Sequence, residues 1–177
     1  MLMVFLVFAG ICLFINGINL YYMHSNNNEK AILAKDAAIV NIFTGVLGVV
    51  VIANIIYHAS QTTENYAPAA YIGLFALTYT WSGINAFTGS NGRALGWFSL
   101  LVTLIAIPAG LVELSRAHTL IEYWLGISWL AWGVLWFLSF LILVQQKPLS
   151  RLTGGLSSFQ GITTALLPAI LHFWDVI

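Results

Sequence analysis

The sequence has very little charge. Of its 177 residues only 7% are charged, and six basic residues balance six acidic ones. A soluble domain carries about 25% charged residues, so this composition excludes an ordinary soluble protein and predicts a membrane protein. The balanced charge also provides no basic surface, which excludes nucleic acid as a partner.

Cysteine is nearly absent as well. Cys12 is the single cysteine, so an intramolecular disulfide and a cysteine-based metal cluster are both excluded. Hydrolytic chemistry needs a nucleophile with a base, or a metal ion. No serine, histidine and carboxylate lie at one depth of the predicted spans. We therefore expect neither an enzyme nor a metal site, and no cofactor.

Charged side chains are missing from the middle of every long apolar segment. Charges at membrane depth mark proton relays, ion pathways and voltage sensors. Their absence argues against a proton- or sodium-coupled transporter and against a cation channel built on acidic rings.

Long apolar runs dominate what is present. A membrane-spanning helix needs about 20 apolar residues. Six segments meet this requirement, at approximately 1–22, 37–58, 68–89, 94–115, 120–145 and 152–174. The connections are short, which makes consecutive helices antiparallel neighbours. The sequence predicts an all-α, polytopic membrane protein with one domain, residues 1–177, built as a six-helix bundle.

The basic residues predict an orientation, because cytoplasmic loops are enriched in lysine and arginine. The opposite side carries Arg116 alone. The first, third and fifth connections carry the other five basic residues, which are Lys30, Lys35, Arg93, Lys147 and Arg151. We therefore expect these connections to be cytoplasmic and both termini to lie outside a cell membrane.

Uncharged polar residues form stripes inside the spans. Thr78, Ser82 and Asn85 share one face of the third segment, with Phe75 and Tyr79 beside them. Asn16 lies on the first segment, and Gln160 on the sixth. A polar side chain that faces lipid is costly, so these stripes are expected to point inward. Hydrogen bonding between helices is the simpler explanation for any single asparagine, and a pore lining is the alternative.

Three tryptophans mark one face of the fifth segment. At about 100° per residue, Trp129, Trp132 and Trp136 fall within roughly a 60° arc. They lie deeper than the interfacial belt of aromatic residues, to which Trp97, Trp124 and Trp174 are assigned. Periodicity alone favours helix packing and a pore wall equally for the three deep indoles.

Several motifs occur together in a recognisable order. They are Phe14-Ile-Asn-Gly17, Leu77-Thr-Tyr-Thr-Trp-Ser-Gly-Ile-Asn85, Trp129-Leu-Ala-Trp-Gly-Val-Leu-Trp136 and Gly161-Ile-Thr-Thr-Ala-Leu-Leu-Pro-Ala169. In these motifs the whole chain resembles the urea/short-chain amide channel family (AmiS/UreI).

The resemblance implies a six-span bundle with a pore through each protomer and hexameric rings. It also implies a passive channel with an aromatic slot. The residues that fall on the pore-lining motifs of the family are Trp129, Trp132, Trp136, Phe75 and Tyr79.

Two departures from the acid-gated members of the family bear on the substrate. Their long, histidine-rich outer loop between the second and third spans is reduced here to residues 59–67. Their glutamate in the sixth span is replaced by Gln160. In both features the sequence is closer to the amide-channel branch of the family, which implies a channel without acid gating. A gate formed by His58, His118 or His172 is the alternative, although solvated helix-end histidines are commoner.

We therefore expect a passive, bidirectional channel for small, neutral, planar amides such as acetamide and other short-chain amides, or urea. The indole N–H groups and the Tyr79 hydroxyl are expected to meet the solute carbonyl, with Gln160, Thr78 and Asn85 supplying further hydrogen bonds. The alternative is a structural or accessory membrane subunit whose aromatic side chains only pack helices.

Overall fold

The computed structural model describes residues 1–23, 32–62 and 65–177. These residues form helices and short connections, and no strand occurs among them. Five helices come first, namely α1 (Leu2–Tyr22), α2 (Ala34–Thr62), α3 (Ala67–Thr88), α4 (Arg93–Arg116) and α5 (Leu120–Leu143). The chain ends in a continuous rod, Ser150–Phe173, which we call the C-terminal helix. The all-helical fold class is confirmed. Lys30, one of the basic residues used to predict orientation, lies outside the described residues.

Five of these six rods are long and apolar enough to cross a membrane, within the part of the chain that the structure describes. The exception is α3, which is long enough but more polar, with Thr78, Ser82 and Asn85 along one side. The lower hydropathy of α3 therefore distinguishes it from the other five rods.

Glycines bring the helices together in pairs. A Cβ atom on Gly45 of α2 would lie 2.9 Å from the carbonyl oxygen of Ala76 of α3. In the α4/α5 pair, a Cβ on Gly110 would lie 3.1 Å from the carbonyl oxygen of Gly126. Small residues allow such close backbone approach between helices in membranes.

The closest pair consists of α1 and the C-terminal helix. A Cβ on either Gly10 or Gly161 would lie 2.6 Å from the carbonyl oxygen of the other glycine. Gly17 and Gly154 repeat this reciprocal contact, also at 2.6 Å, seven residues later in α1 and seven residues earlier in the C-terminal helix. Because the obstructing atoms are backbone, no side-chain movement could accommodate a larger residue.

The turn between α3 and α4 is also set by glycine. Gly89 ends α3 with φ 69°, and Gly92 precedes α4 with φ 71°. Both values lie in the left-handed region, which glycine adopts without steric cost. This short turn holds the two helices antiparallel.

The three helix pairs, α2/α3, α4/α5 and α1/C-terminal helix, make far fewer contacts with one another than within each pair. The space left between the pairs is bordered by one face each of α1, α3 and α5. The buried core of the bundle lies along this axis and includes Phe5, Phe75, Tyr79, Trp132 and Trp136.

Candidate functional site

Two cavities lie along the axis of the bundle. The first has a volume of about 380 Å³ and lies toward the end where Asn85, Gly92 and Thr153 are found. We call it the inner cavity because the basic residues predict that this end is cytoplasmic. The second, the outer cavity, has a volume of about 300 Å³ and lies toward the end where Leu2, Pro68 and Arg116 are found. Each is lined by α1, α3 and α5 together with the ends of other helices.

The two cavities share only Phe75 and Trp132 among their lining residues. Both side chains are buried, Phe75 on α3 and Trp132 on α5. They therefore stand at the junction of the two cavities, where a molecule that moved from one to the other would have to pass.

Phe75 contacts all three deep tryptophans. Its ring centroid lies 5.6 Å from that of Trp129, 5.0 Å from Trp132 and 4.7 Å from Trp136. The Phe75 and Trp132 rings are nearly perpendicular, at 87°. These are ordinary contact distances for aromatic pairs. The four rings together separate the cavities, and we call them the aromatic partition.

The indole N–H groups at the centre of the partition are already hydrogen-bonded. Trp132 Nε1 donates to Thr164 Oγ1 at 2.8 Å, and Trp136 Nε1 donates to Thr78 Oγ1 at 3.2 Å. The expectation that these two N–H groups are available to a solute carbonyl is therefore wrong. Burial of an indole makes a fixed partner favourable, and threonine provides it. For Trp129, no hydrogen bond from the indole N–H is found among the described residues.

Thr78 and Thr164 each serve two hydrogen bonds. Besides accepting from an indole, Thr78 donates to the carbonyl oxygen of Leu74 at 2.6 Å, and Thr164 donates to that of Gln160 at 2.6 Å. Each threonine thus links a tryptophan on α5 to the backbone of another helix. Thr78 also lines the inner cavity.

A π-helical segment in the C-terminal helix, Gly161–Leu166, places the second of these threonines. Leu167 N–H bonds back five residues to the carbonyl of Ile162. The next bond of this pattern would come from Pro168, which has no N–H. The carbonyl of Thr163 instead accepts from Trp124 Nε1 at 2.8 Å. Trp124, which the sequence assigns to the interfacial belt, thus also binds a neighbouring helix.

Replacement of Thr164 by valine is expected to leave the buried Trp132 N–H without its partner. The free energy of unfolding should fall by about 1–3 kcal/mol. Thr164→Ser keeps an acceptor at this position and should retain most of the stability. Thermal unfolding of both variants in detergent would measure the difference, and equal midpoints would show that the hydrogen bond contributes nothing.

The inner cavity carries most of the polar side chains. Among its described lining residues there is no Asp, Glu, Lys, Arg or His. Asn16 exchanges hydrogen bonds with Asn41 of α2 at 3.0 and 2.6 Å, so it joins helices and lines the cavity at once. Asn85 and Ser82 also line this cavity, and their side chains make no hydrogen bond to another described residue.

Tyr79 lines the inner cavity from α3 but is nearly buried. Its hydroxyl is directed at the carbonyl oxygen of Ala9 on α1, at 3.5 Å. The ring lies 6.3 Å from that of Phe75, which extends the aromatic surface from the partition into the cavity.

Gln160 lines neither cavity, contrary to prediction. It is 5% exposed, and its Oε1 has no partner among the described residues. The neighbouring Gly161 packs directly against Gly10 of α1. The Gln160 side chain is buried among the described helices.

Fewer polar side chains line the outer cavity. Phe5 and Tyr71 line it, and both contact the aromatic partition, Phe5 at 6.2 Å from Phe75 and Tyr71 at 5.1 Å from Trp129. Sequence reasoning missed both, although Tyr71 lies one turn before Phe75 on the same face of α3 and was the available signal. Glu113 and Arg116, at the end of α4, also line this cavity.

The histidines lie away from both cavities as far as the structure describes them. His58, His118 and His172 are exposed near helix ends, and none is among the lining residues. Groups of three or more His, Cys, Asp or Glu that could hold a metal ion were likewise not found among the described residues.

Comparison with known proteins assigns the chain to a family. Residues 1–176 match the model of the AmiS/UreI family transporter. The acid-activated urea channel of Helicobacter pylori is 31% identical, over 98% of this chain and 97% of that protein. The putative transporter protein AmiS2 of Rhodococcus erythropolis is 30% identical, over 94% of this chain and 76% of that protein.

Solved structures agree with the sequence relatives. The crystal structure of the Helicobacter pylori urea channel matches with a TM-score of 0.84 at 31% identity, and the match covers 99% of this chain and 98% of that chain. The chain is a multi-pass membrane protein. The chain belongs to the AmiS/UreI family of transporters.

Proposed function

We propose that this protein is a passive, bidirectional channel for small, neutral, planar amides, such as acetamide and other short-chain amides, and urea. The observation that carries the proposal is the arrangement of two cavities along the bundle axis whose described lining residues have Phe75 and Trp132 in common. A solute enters one cavity, passes between the rings of the aromatic partition and leaves through the other.

The walls favour a neutral solute. No Asp, Glu, Lys, Arg or His lines the inner cavity among the described residues, and the partition itself is aromatic. An ion that entered would lose its hydration shell with nothing to replace it. The outer cavity places Glu113 and Arg116 together, so its mouth carries both signs of charge.

The partition favours a flat solute. Its ring faces offer weak N–H···π contacts but no free N–H at Trp132 or Trp136. An amide loses hydrogen bonds on leaving water, at roughly 1–3 kcal/mol for each group left unsatisfied. The side chains of Asn85 and Ser82, which line the inner cavity without a hydrogen bond to another described residue, restore part of that loss beyond the partition. Weak, brief contact inside the partition suits conduction, which fails if the solute leaves slowly.

The names of the relatives support this solute class. One is an acid-activated urea channel, and another, from Mycolicibacterium smegmatis, is a putative amidate substrates transporter protein at 32% identity. The sequence identity to the urea channel and to the amidate transporter is nearly equal. Overall identity therefore does not indicate whether amides or urea are preferred, and individual residues have to decide it.

The membrane arrangement is part of the proposal. All six rods, including the more polar α3, span the membrane, and α3 tolerates its polar face because that face borders the cavities. The basic connections are cytoplasmic and both termini lie outside. The ring of six protomers implied by the family resemblance would give one pathway in each protomer.

Reversal of the solute gradient tests passive transport. In liposomes that contain the purified protein, acetamide influx and efflux should have equal rate constants under equal and opposite gradients. Imposed proton or sodium gradients should leave both unchanged. A rate that follows either ion gradient would show coupled transport and refute the proposal.

The pathway is also expected to respond weakly to outer pH. Since none of the three described histidines lines a cavity, acetamide flux should change by less than about twofold between about pH 5 and pH 7.5. Stopped-flow light scattering of the same liposomes at each pH measures this. A steep rise on acidification would mean that histidines gate the channel.

A further inference from the structure

We infer that Asn85 is a solute-binding residue of the inner cavity that pairs with a primary carboxamide, or with urea, through two simultaneous hydrogen bonds. The pairing selects solutes with an unsubstituted NH₂ group over N-alkylated amides. This inference rests on the proposed function and narrows its substrate class.

The position of Asn85 suits such a role. It lies on the same face of α3 as Thr78 and Ser82, and all three line the inner cavity. Its Nδ2 atom lies 3.9 Å from the point that a Cβ on Gly92 would occupy, and the side chain of Leu143 borders the same point at 3.0 Å.

The carboxamide of Asn85 differs from the others in the cavity. Asn16 and Asn41 are bonded to each other, Asn19 donates to the carbonyl of Ile32, and Asn91 accepts from the Arg93 N–H. Asn85 lines the same cavity, and neither end of its carboxamide is hydrogen-bonded to another described residue. Both a donor and an acceptor are thus available on one side chain.

The Asn16–Asn41 pair shows the geometry within this protein. Asn16 Nδ2 donates to Asn41 Oδ1 at 3.0 Å, and Asn41 Nδ2 donates to Asn16 Oδ1 at 2.6 Å. The two carboxamides close a ring of two N–H···O bonds. A primary amide in the cavity carries the same chemical group and closes the same ring with Asn85.

The ring requires an N–H on the same side of the C–N bond as the carbonyl oxygen. Primary amides and urea have one, because their nitrogen carries two hydrogens. N-methylacetamide, like a peptide bond, is almost entirely trans, so its single N–H points away from its oxygen. It makes one of the two hydrogen bonds with Asn85 but not both.

A second polar group in the cavity is also without a partner. Thr153 is 3% exposed and lines the inner cavity, and its Oγ1 makes no hydrogen bond to the described residues. A hydroxyl both donates and accepts. Because this oxygen is itself buried, the hydroxyl has to turn toward the cavity before it can contact a solute held by Asn85.

The test compares two solutes on the same vesicles. Influx of acetamide and N-methylacetamide is measured by stopped-flow light scattering in protein-containing liposomes, after subtraction of the rate in protein-free liposomes. The ratio of the two rates is independent of how much folded protein each preparation contains. Asn85→Leu and Asn85→Ala should each lower the acetamide preference by roughly three- to tenfold.

Ser139→Ala is the matched control. Ser139 lines the same cavity from α5, but its hydroxyl already donates to the carbonyl of Leu135 at 2.9 Å. Its removal should leave the ratio at the wild-type value. An unchanged ratio in both Asn85 variants, with acetamide still faster than in protein-free vesicles, would overturn the inference and leave the proposed function intact. A wild-type protein that carries neither solute would refute both.

Discussion

Trp132→Ala is expected to raise the flux of a bulky amide relative to that of acetamide by about tenfold, the effect of about 1.4 kcal/mol on a barrier. Trp132 is one of the two residues at which the cavities meet, and its ring fills part of the aromatic partition. Without the indole, the passage is wider and no longer flat. Influx of 2,2-dimethylpropanamide, which is branched, measured against influx of acetamide in the same liposomes, reports this change.

Trp97→Ala is the control for loss of an indole as such. Trp97 is 55% exposed on α4 and contacts Phe140, with ring centroids 5.3 Å apart. It lines neither cavity, so its removal should not alter the ratio of the two fluxes. Equal effects of Trp132→Ala and Trp97→Ala would favour the alternative in which the tryptophans only pack helices and the protein is a structural subunit.

Gly154→Ala and Gly155→Ala are expected to change stability in opposite directions, although the residues are adjacent. A Cβ on Gly154 would lie 2.5 Å from the backbone nitrogen of Tyr21 and 2.6 Å from the carbonyl oxygen of Gly17. Since these two atoms belong to the backbone of α1, the added methyl group fits only if α1 and the C-terminal helix move apart. We expect a loss of about 1–3 kcal/mol in the free energy of unfolding.

The same methyl group on Gly155 meets only the ring of Tyr21, at 3.8 Å, which is ordinary contact. Alanine in a helix is favoured over glycine by about 0.5–1 kcal/mol, so Gly155→Ala should stabilise the protein slightly. Thermal unfolding of both variants in detergent measures the difference. A Gly154→Ala protein as stable as wild type would show that α1 and the C-terminal helix are not held together as described.

Much of the fold follows from hydropathy alone. Apolar runs of about 20 residues predict helices, and the helices lie where those runs were found, for example α4 at Arg93–Arg116 for the predicted span 94–115. The faces of α3 and α5 were also predictable. Periodicity of 3.6 residues places Phe75, Thr78 and Tyr79 on one side of α3, and the three deep tryptophans on one side of α5.

In the C-terminal helix, periodicity does not predict which residues line a cavity. A uniform helical repeat puts Thr153, Gln160 and Thr164 in one stripe, yet Thr153 lines the inner cavity, Gln160 is enclosed and Thr164 binds Trp132. Thr153 and Gln160 both lie in the α-helical part, Ser150–Gln160, so packing against the other helices gives them different surroundings. The π-helical segment changes the repeat only from Gly161 onward. A proline at residue 168 is the one local signal for it.

The hydrogen-bond partners of the tryptophans could not be predicted from the sequence either. The periodic pattern predicts that an indole faces inward, but not that Thr78 and Thr164 take up its N–H. That pairing brings together residues 58 and 32 positions apart in the chain. The same holds for Phe5, which the packing of α1 against α3 places beside the partition. Tyr71, by contrast, lies one turn before Phe75 on the same face of α3 and was within reach of periodicity.

Solute entry into liposomes that contain the purified protein tests the central claim most directly. In stopped-flow light scattering, acetamide and urea should enter these liposomes faster than protein-free liposomes of the same lipid. The excess rate should be proportional to the amount of protein reconstituted. Entry at the rate of protein-free liposomes, for both solutes and at every protein content, would contradict the assignment of a channel for small neutral amides.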